Sequence, residues 1–160
     1  MGQGFDSWSL WIRTSIFVGA ALFIFALAGS AALIPQLRLL HLLQAFIYVA
    51  ILLFVRRDSS WVYGAGVFIA MVWNGFVLFV THLTQAGAEQ FLSLMHGGHV
   101  SRPDTLMVFI GSVDHFILLA GCIGGVVRLK PQRKQWLHFF GGGFFALAYF
   151  GLIVFILAPH

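Results

Sequence analysis

The sequence predicts an all-α integral membrane protein, a single bundle of five transmembrane helices, and three observations carry that prediction. First, 60% of the 160 residues are hydrophobic and only 9% are charged, and the mean hydropathy of +0.94 lies far on the apolar side of water-soluble domains. Second, the apolar residues gather into five runs of about 20 residues, the length a helix needs to cross about 30 Å of hydrocarbon. Third, polar and turn residues fall between the runs. The runs leave no room for a second domain of ordinary size, so residues 1–160 read as one membrane domain. Nucleotide-binding, nucleic-acid-binding and disulfide-framework functions are set aside, and no nucleic-acid partner is expected.

The first span is expected at residues 10–33, with Arg13 extending its head toward the interface from near the start. Small residues at Ala28-Gly29-Ser30-Ala31 suggest a signal-peptide cleavage site. The apolar stretch is too long for one, and ahead of its uncharged part stand Asp6 and a single base, Arg13. The second span, 36–55, follows Pro35 so closely that the first two must form an antiparallel hairpin, closed in water by Arg56-Arg57-Asp58. The third is expected at 61–81. Residues 82–104 form the only long connection, within which 86–95 is expected to form a short helix lying on the membrane surface. The fourth span, 103–127, opens on a proline, which a helix tolerates in its first turn. It ends at a basic loop, and the fifth span follows at 135–157. Gly141-Gly142-Gly143 lies inside this last span, where small residues let helices approach closely.

Orientation follows from the bases. In this five-span arrangement Arg13, Arg56, Arg57, Arg128, Lys130, Arg133 and Lys134 share the side of the N-terminus, and Arg38 and Arg102 lie on the other. The N-terminus is therefore expected in the cytoplasm and the C-terminus outside, in the cytoplasmic (inner) membrane of a bacterium. The basic clusters also suit contact with acidic lipid headgroups. His41, His82, His96, His99 and His160 then fall on or near the outer face, His115 near mid-membrane and His138 near the inner face. Cys122, the single cysteine, reads as a packing residue.

A strongly polar group at mid-bilayer is costly unless paired or facing a cavity, so such residues are the candidates for function. On span two, His41, Gln44 and Tyr48 at i, i+3 and i+7 share a helical face. On span three Asn74 continues a stripe of small residues, Gly66 and Ala70. On span four Asp114 and His115 are adjacent, and Gly111, Cys122 and Gly125 share the His115 face. Asp114 is expected to act as a protonatable or ligand-orienting group. His115 and His41, on different helices with Gly111 beside them, are expected to ligate haem b, with Gln44, Asn74 and Tyr48 lining the cofactor site. In the outer connection Met95, His96 and His99, with His82, form a candidate copper or zinc site.

Three functions compete on these residues. The preferred one is a membrane subunit of a redox system that binds haem b, or a metal, and exchanges electrons with quinone. A small proton-linked transporter or channel using Asp114 is the second, with Gln44, Asn74 and His115 along its path. An accessory or assembly subunit of a larger complex is the third. Five short spans enclose little volume, so a homo-oligomer or a subunit of a membrane complex is expected.

Overall fold

The computed structural model describes residues 7–157, and these form helices and turns, with no strand among the described residues. Asp6 and His160 lie outside them. Five helices are long and apolar enough to cross a membrane: Trp8–Leu33, Pro35–Arg57, Ser60–Val80, Pro103–Leu129 and Arg133–Leu157. Each agrees with an expected span to within about a turn, because in hydrocarbon a backbone satisfies its hydrogen bonds only by staying helical from one face to the other.

Helix α1 is Ser7–Leu33. Pro35 starts a short 3₁₀ turn leading into α2, Arg38–Phe54, and the Arg38 side chain donates back to the Ala31 carbonyl at 3.2 Å. A second 3₁₀ turn, Val55–Arg57, hands over to Asp58, whose φ of 46° places it in the left-handed region that aspartate tolerates better than most residues. Helix α3, Ser60–Gly75, continues into a π-helical turn, Phe76–Val80, closed by a bond from the Thr81 N–H to the Phe76 carbonyl at 3.1 Å. His82, also left-handed, starts α4, Leu83–Met95, which is three residues longer at its N-terminal end than the sequence reading. Helices α5, Pro103–Leu129, and α6, Arg133–Leu157, complete the chain.

Helix α5 is central, packed by α1, α3 and α4. Water drives no association between apolar helices in lipid, so close approach over small residues has to supply the contact. Gly19 of α1 fits against the backbone of Leu118, Gly121 against Ile16, Gly66 against the Cys122 thiol, and Gly87 of α4 against the Thr105 carbonyl. Between α3 and α6 the same device works both ways: Gly64 abuts the Phe139 carbonyl and Gly142 abuts the Trp61 carbonyl, while Gly143 lies on the Phe68 ring. The glycine run of the fifth span is thus a packing surface. Helix α2 lies beside α1 and leaves cavities against α3 and α6. Between those cavities the Tyr149 hydroxyl donates to the Leu43 carbonyl at 3.0 Å, tying α6 to α2.

One end of the bundle is locked by Asp58. Arg13 reaches its Oδ2 at 2.8 Å, the Tyr63 hydroxyl donates to its Oδ1 at 2.8 Å, and Arg128 lies 3.6 Å from Oδ2. The turn between α2 and α3 is thereby joined to α1, α3 and α5. Arg13 is therefore held by an ion pair, a use of its charge that its position near a helix start does not reveal. Burial alone would push the Asp58 carboxyl up, but the hydrogen bonds from Arg13 and Tyr63 and the charges of Arg13 and Arg128 outweigh it and hold the group below its usual range.

Candidate functional site

The polar residues singled out in the spans separate into distinct places. The deepest is a sealed pair. His115 Nδ1 lies 2.6 Å from the Gly111 carbonyl one turn back, which only accepts, so Nδ1 carries the hydrogen. Nε2 is then the acceptor, and it takes the Tyr48 hydroxyl at 2.7 Å. Phe23 meets the imidazole edge-on at 4.1 Å between centroids, and Trp73 stacks on it at 5.8 Å. His115 is 0% exposed and Tyr48 1%. An axial haem ligand needs a free ring nitrogen and an open face. Here both nitrogens are engaged, and the notch at Gly111 is filled by the Phe23 ring, 3.0 Å from where a Cβ would stand. A haem held by His41 and His115 does not fit this packing.

The second place is a cavity. His41 and Gln44 share the buried face of α2 with Tyr48, as their spacing predicts, but they lie nearer its start. Together with Trp73 of α3 they line a cavity of about 540 Å³ between α2, α3 and α6. The rest of its wall is apolar: Leu40, Val72, Phe76, Phe150, Gly151, Val154 and Phe155. Each of the three polar residues keeps a buried atom without a hydrogen-bond partner, namely His41 Nδ1, Gln44 Oε1 and Trp73 Nε1. Buried polar atoms are nearly always paired, so three orphans around one apolar cavity are informative. No family model, curated protein or solved structure matches this chain. The chemistry of the site therefore rests on its own geometry.

Asn74 belongs elsewhere. Its Nδ2 donates to the Ser112 carbonyl at 3.4 Å, and the Ser112 hydroxyl, itself bonded to Val108, pairs with Thr84 of α4 at 2.7 Å. This small network fastens α3 and α4 to α5. Asp114, on α5, is 2% exposed, and its Oδ2 has no hydrogen-bond partner among the described residues. It does not join His115 or Gln44. At the far end of α4, Met95, His96 and His99 are exposed, and the His96 ring is bonded through Nδ1 to the Leu92 carbonyl at 2.7 Å. His82 caps the opposite end of the same helix, a distance of 14 residues from His96 by numbering. Among the described residues no three of His, Cys, Asp or Glu come together as a metal cage.

Two participants escape a reading by spacing. Trp73 carries no charge and sits next to the more conspicuous Asn74, yet it both stacks on His115 and lines the cavity. Its position in the deeper part of a span, away from the interface that tryptophan favours, was the available signal. Asp58 pairs with residues 45 and 70 positions away, Arg13 and Arg128, and no local pattern announces such a contact.

Proposed function

We propose that the protein is a membrane subunit of a redox system and that the cavity lined by His41, Gln44 and Trp73 binds a molecule of the quinone class. The observation that carries the reading is the combination of apolar walls with three stranded polar atoms, two on α2 and one on α3. Small-molecule sites have this composition: mostly hydrophobic lining with a few convergent polar groups that fix orientation. Trp73 Nε1 can only donate, and a quinone carbonyl only accepts. The imidazole and the carboxamide donate or accept, so the same three side chains serve the quinone, with its carbonyls, and the quinol, with its hydroxyls. The apolar remainder suits a ring and tail that arrive through lipid. Electrons come from a partner in a larger complex, and the α4 end faces outside the inner membrane, as the distribution of bases favours.

The test is direct. Protein purified in mild detergent is extracted and its quinones identified, and binding of a short-chain quinone analogue is measured at equilibrium. Trp73→Phe, which keeps the ring and drops the N–H, is expected to weaken binding about five- to tenfold, the worth of one neutral hydrogen bond. No quinone in the extract and no saturable binding of the analogue would refute the reading.

Asp114 favours a second reading, proton-linked transport. A carboxyl buried among transmembrane helices without a basic partner is the usual mark of a proton or ion path. In liposomes, Asp114→Asn is then expected to abolish proton-coupled flux, and unchanged flux removes Asp114 from any path.

A further inference from the structure

We infer that a second cavity, at the α4 end of the bundle, is a water path that delivers protons to His41; this rests on the quinone reading and assigns how that site exchanges protons. The cavity measures about 210 Å³, and its wall draws Ser30 from α1, His41 from α2, Trp73 from α3, Leu83 from α4 and Asp104 and Met107 from α5. His41 and Trp73 also line the quinone cavity, so these two side chains are the partition between the two spaces. Four of its twelve lining side chains, Ser30, His41, Trp73 and Asp104, are polar and can bond to water, and the other eight are apolar. Asp104 stands at the start of α5, partly exposed and paired with the exposed Arg102 at 3.2 Å, which marks that end as the wet one.

An imidazole in a partition can take a proton on one ring nitrogen and release another from the opposite one, and His41 Nδ1 is unpartnered. Among the described residues Asp104 is the one carboxylate on these walls, and α1, α3 and α6 contribute no ionisable side chain to either cavity. Arg38, three residues before His41, is held at the Ala31 carbonyl. The step this permits is balanced. A quinone gains two electrons from a reductant and two protons from water to become quinol; at the oxygen beside His41 an N–H bond breaks, an O–H bond forms, and the imidazole is reprotonated from the α4-end cavity. The reductant is an electron-carrying partner in the membrane and dithionite in the experiment.

The test uses the full chain in detergent with Ser30→Cys, in the α4-end cavity, and Leu22→Cys, on the lipid-facing side of the same helix at 40% exposure. The native Cys122 is fully buried and serves as the blank. A charged methanethiosulfonate reagent, which is attacked at sulfur by thiolates in water and loses sulfinate, is expected to modify Ser30→Cys at least about tenfold faster than Leu22→Cys. The modified protein, its path plugged, should bind the quinone analogue with unchanged affinity but take up protons after dithionite reduction at least about tenfold more slowly. Analogue binding with Ser30→Cys unreactive, or modification that leaves proton uptake as fast as before, overturns the inference. Rapid modification without any analogue binding instead refutes the quinone reading and leaves the cavity a water-filled inlet.

Discussion

Tyr48→Phe is the sharpest perturbation of the bundle, because it removes one oxygen and nothing else. The wild-type hydroxyl lies 2.7 Å from His115 Nε2, and the other ring nitrogen is committed to Gly111 at 2.6 Å, so the imidazole has no alternative tautomer that satisfies both ends. With the hydroxyl gone, Nε2 is a buried acceptor enclosed by Phe23 and Trp73. An unsatisfied buried acceptor costs about 1–3 kcal/mol. Hydrogen bonds between transmembrane helices average about 0.6 and reach about 1.7 kcal/mol, since the unfolded helices find other partners in the membrane. Full enclosure places this pair toward the upper end, and a loss of about 1–2 kcal/mol is expected, a factor of about 5–30 in the folded ratio. Unfolding by increasing dodecyl sulfate in mixed micelles, followed by circular dichroism, measures it. In a double-mutant cycle Tyr48→Phe should have little effect in a His115→Leu background, because the partner is already absent. Tyr48→Phe that unfolds with the wild type, or a low-spin b-type haem spectrum that His115→Ala abolishes, would refute the sealed pair.

Other expectations follow from the same packing. Asp58→Asn should destabilise the bundle by only about 1 kcal/mol, since Asp58 is 27% exposed and Arg13 and Arg128 are 41% and 32% exposed, so solvent screens the pairing. The Asp58 carboxyl is held below its usual range in the folded protein, so its contribution is full above the unfolded value near about 4 and is lost as pH falls through the lower folded value. The stabilities of wild type and Asp58→Asn, measured in micelles from neutral pH downward, should therefore converge below about pH 4. Gly142→Ala would drive a Cβ into the Trp61 carbonyl and is expected to cost about 1–3 kcal/mol. Gly75→Ala, with nothing within 4 Å, should be neutral or stabilising by up to about 1 kcal/mol in the same unfolding assay.

The helices were legible in the sequence because the bilayer sets their length, and the polar face of α2 was legible because His41, Gln44 and Tyr48 repeat at helical spacing. Beyond the α1–α2 hairpin, which the short connection at Pro35 requires, helix pairing was not, since a helix that is apolar all round carries no stripe to show which side meets a neighbour. The glycines held part of that information: Gly64, Gly66, Gly87 and Gly142 each mark a contact with another helix, but a glycine does not name its partner. The partner of His115 was within reach of simple arithmetic. Helices α2 and α5 begin at the same end of the bundle, so depth can be counted from their first residues, Arg38 and Pro103. His115 is then about 18 Å along α5, Tyr48 about 15 Å along α2, and His41 only about 5 Å. Measured from one face, the tyrosine and not the histidine lies level with His115, and a bis-histidine haem would have to bridge a difference of more than two helical turns. The same count leaves His41 near the end where α4 and Asp104 lie, which is where a group that handles protons between water and a lipid-borne ligand has to be.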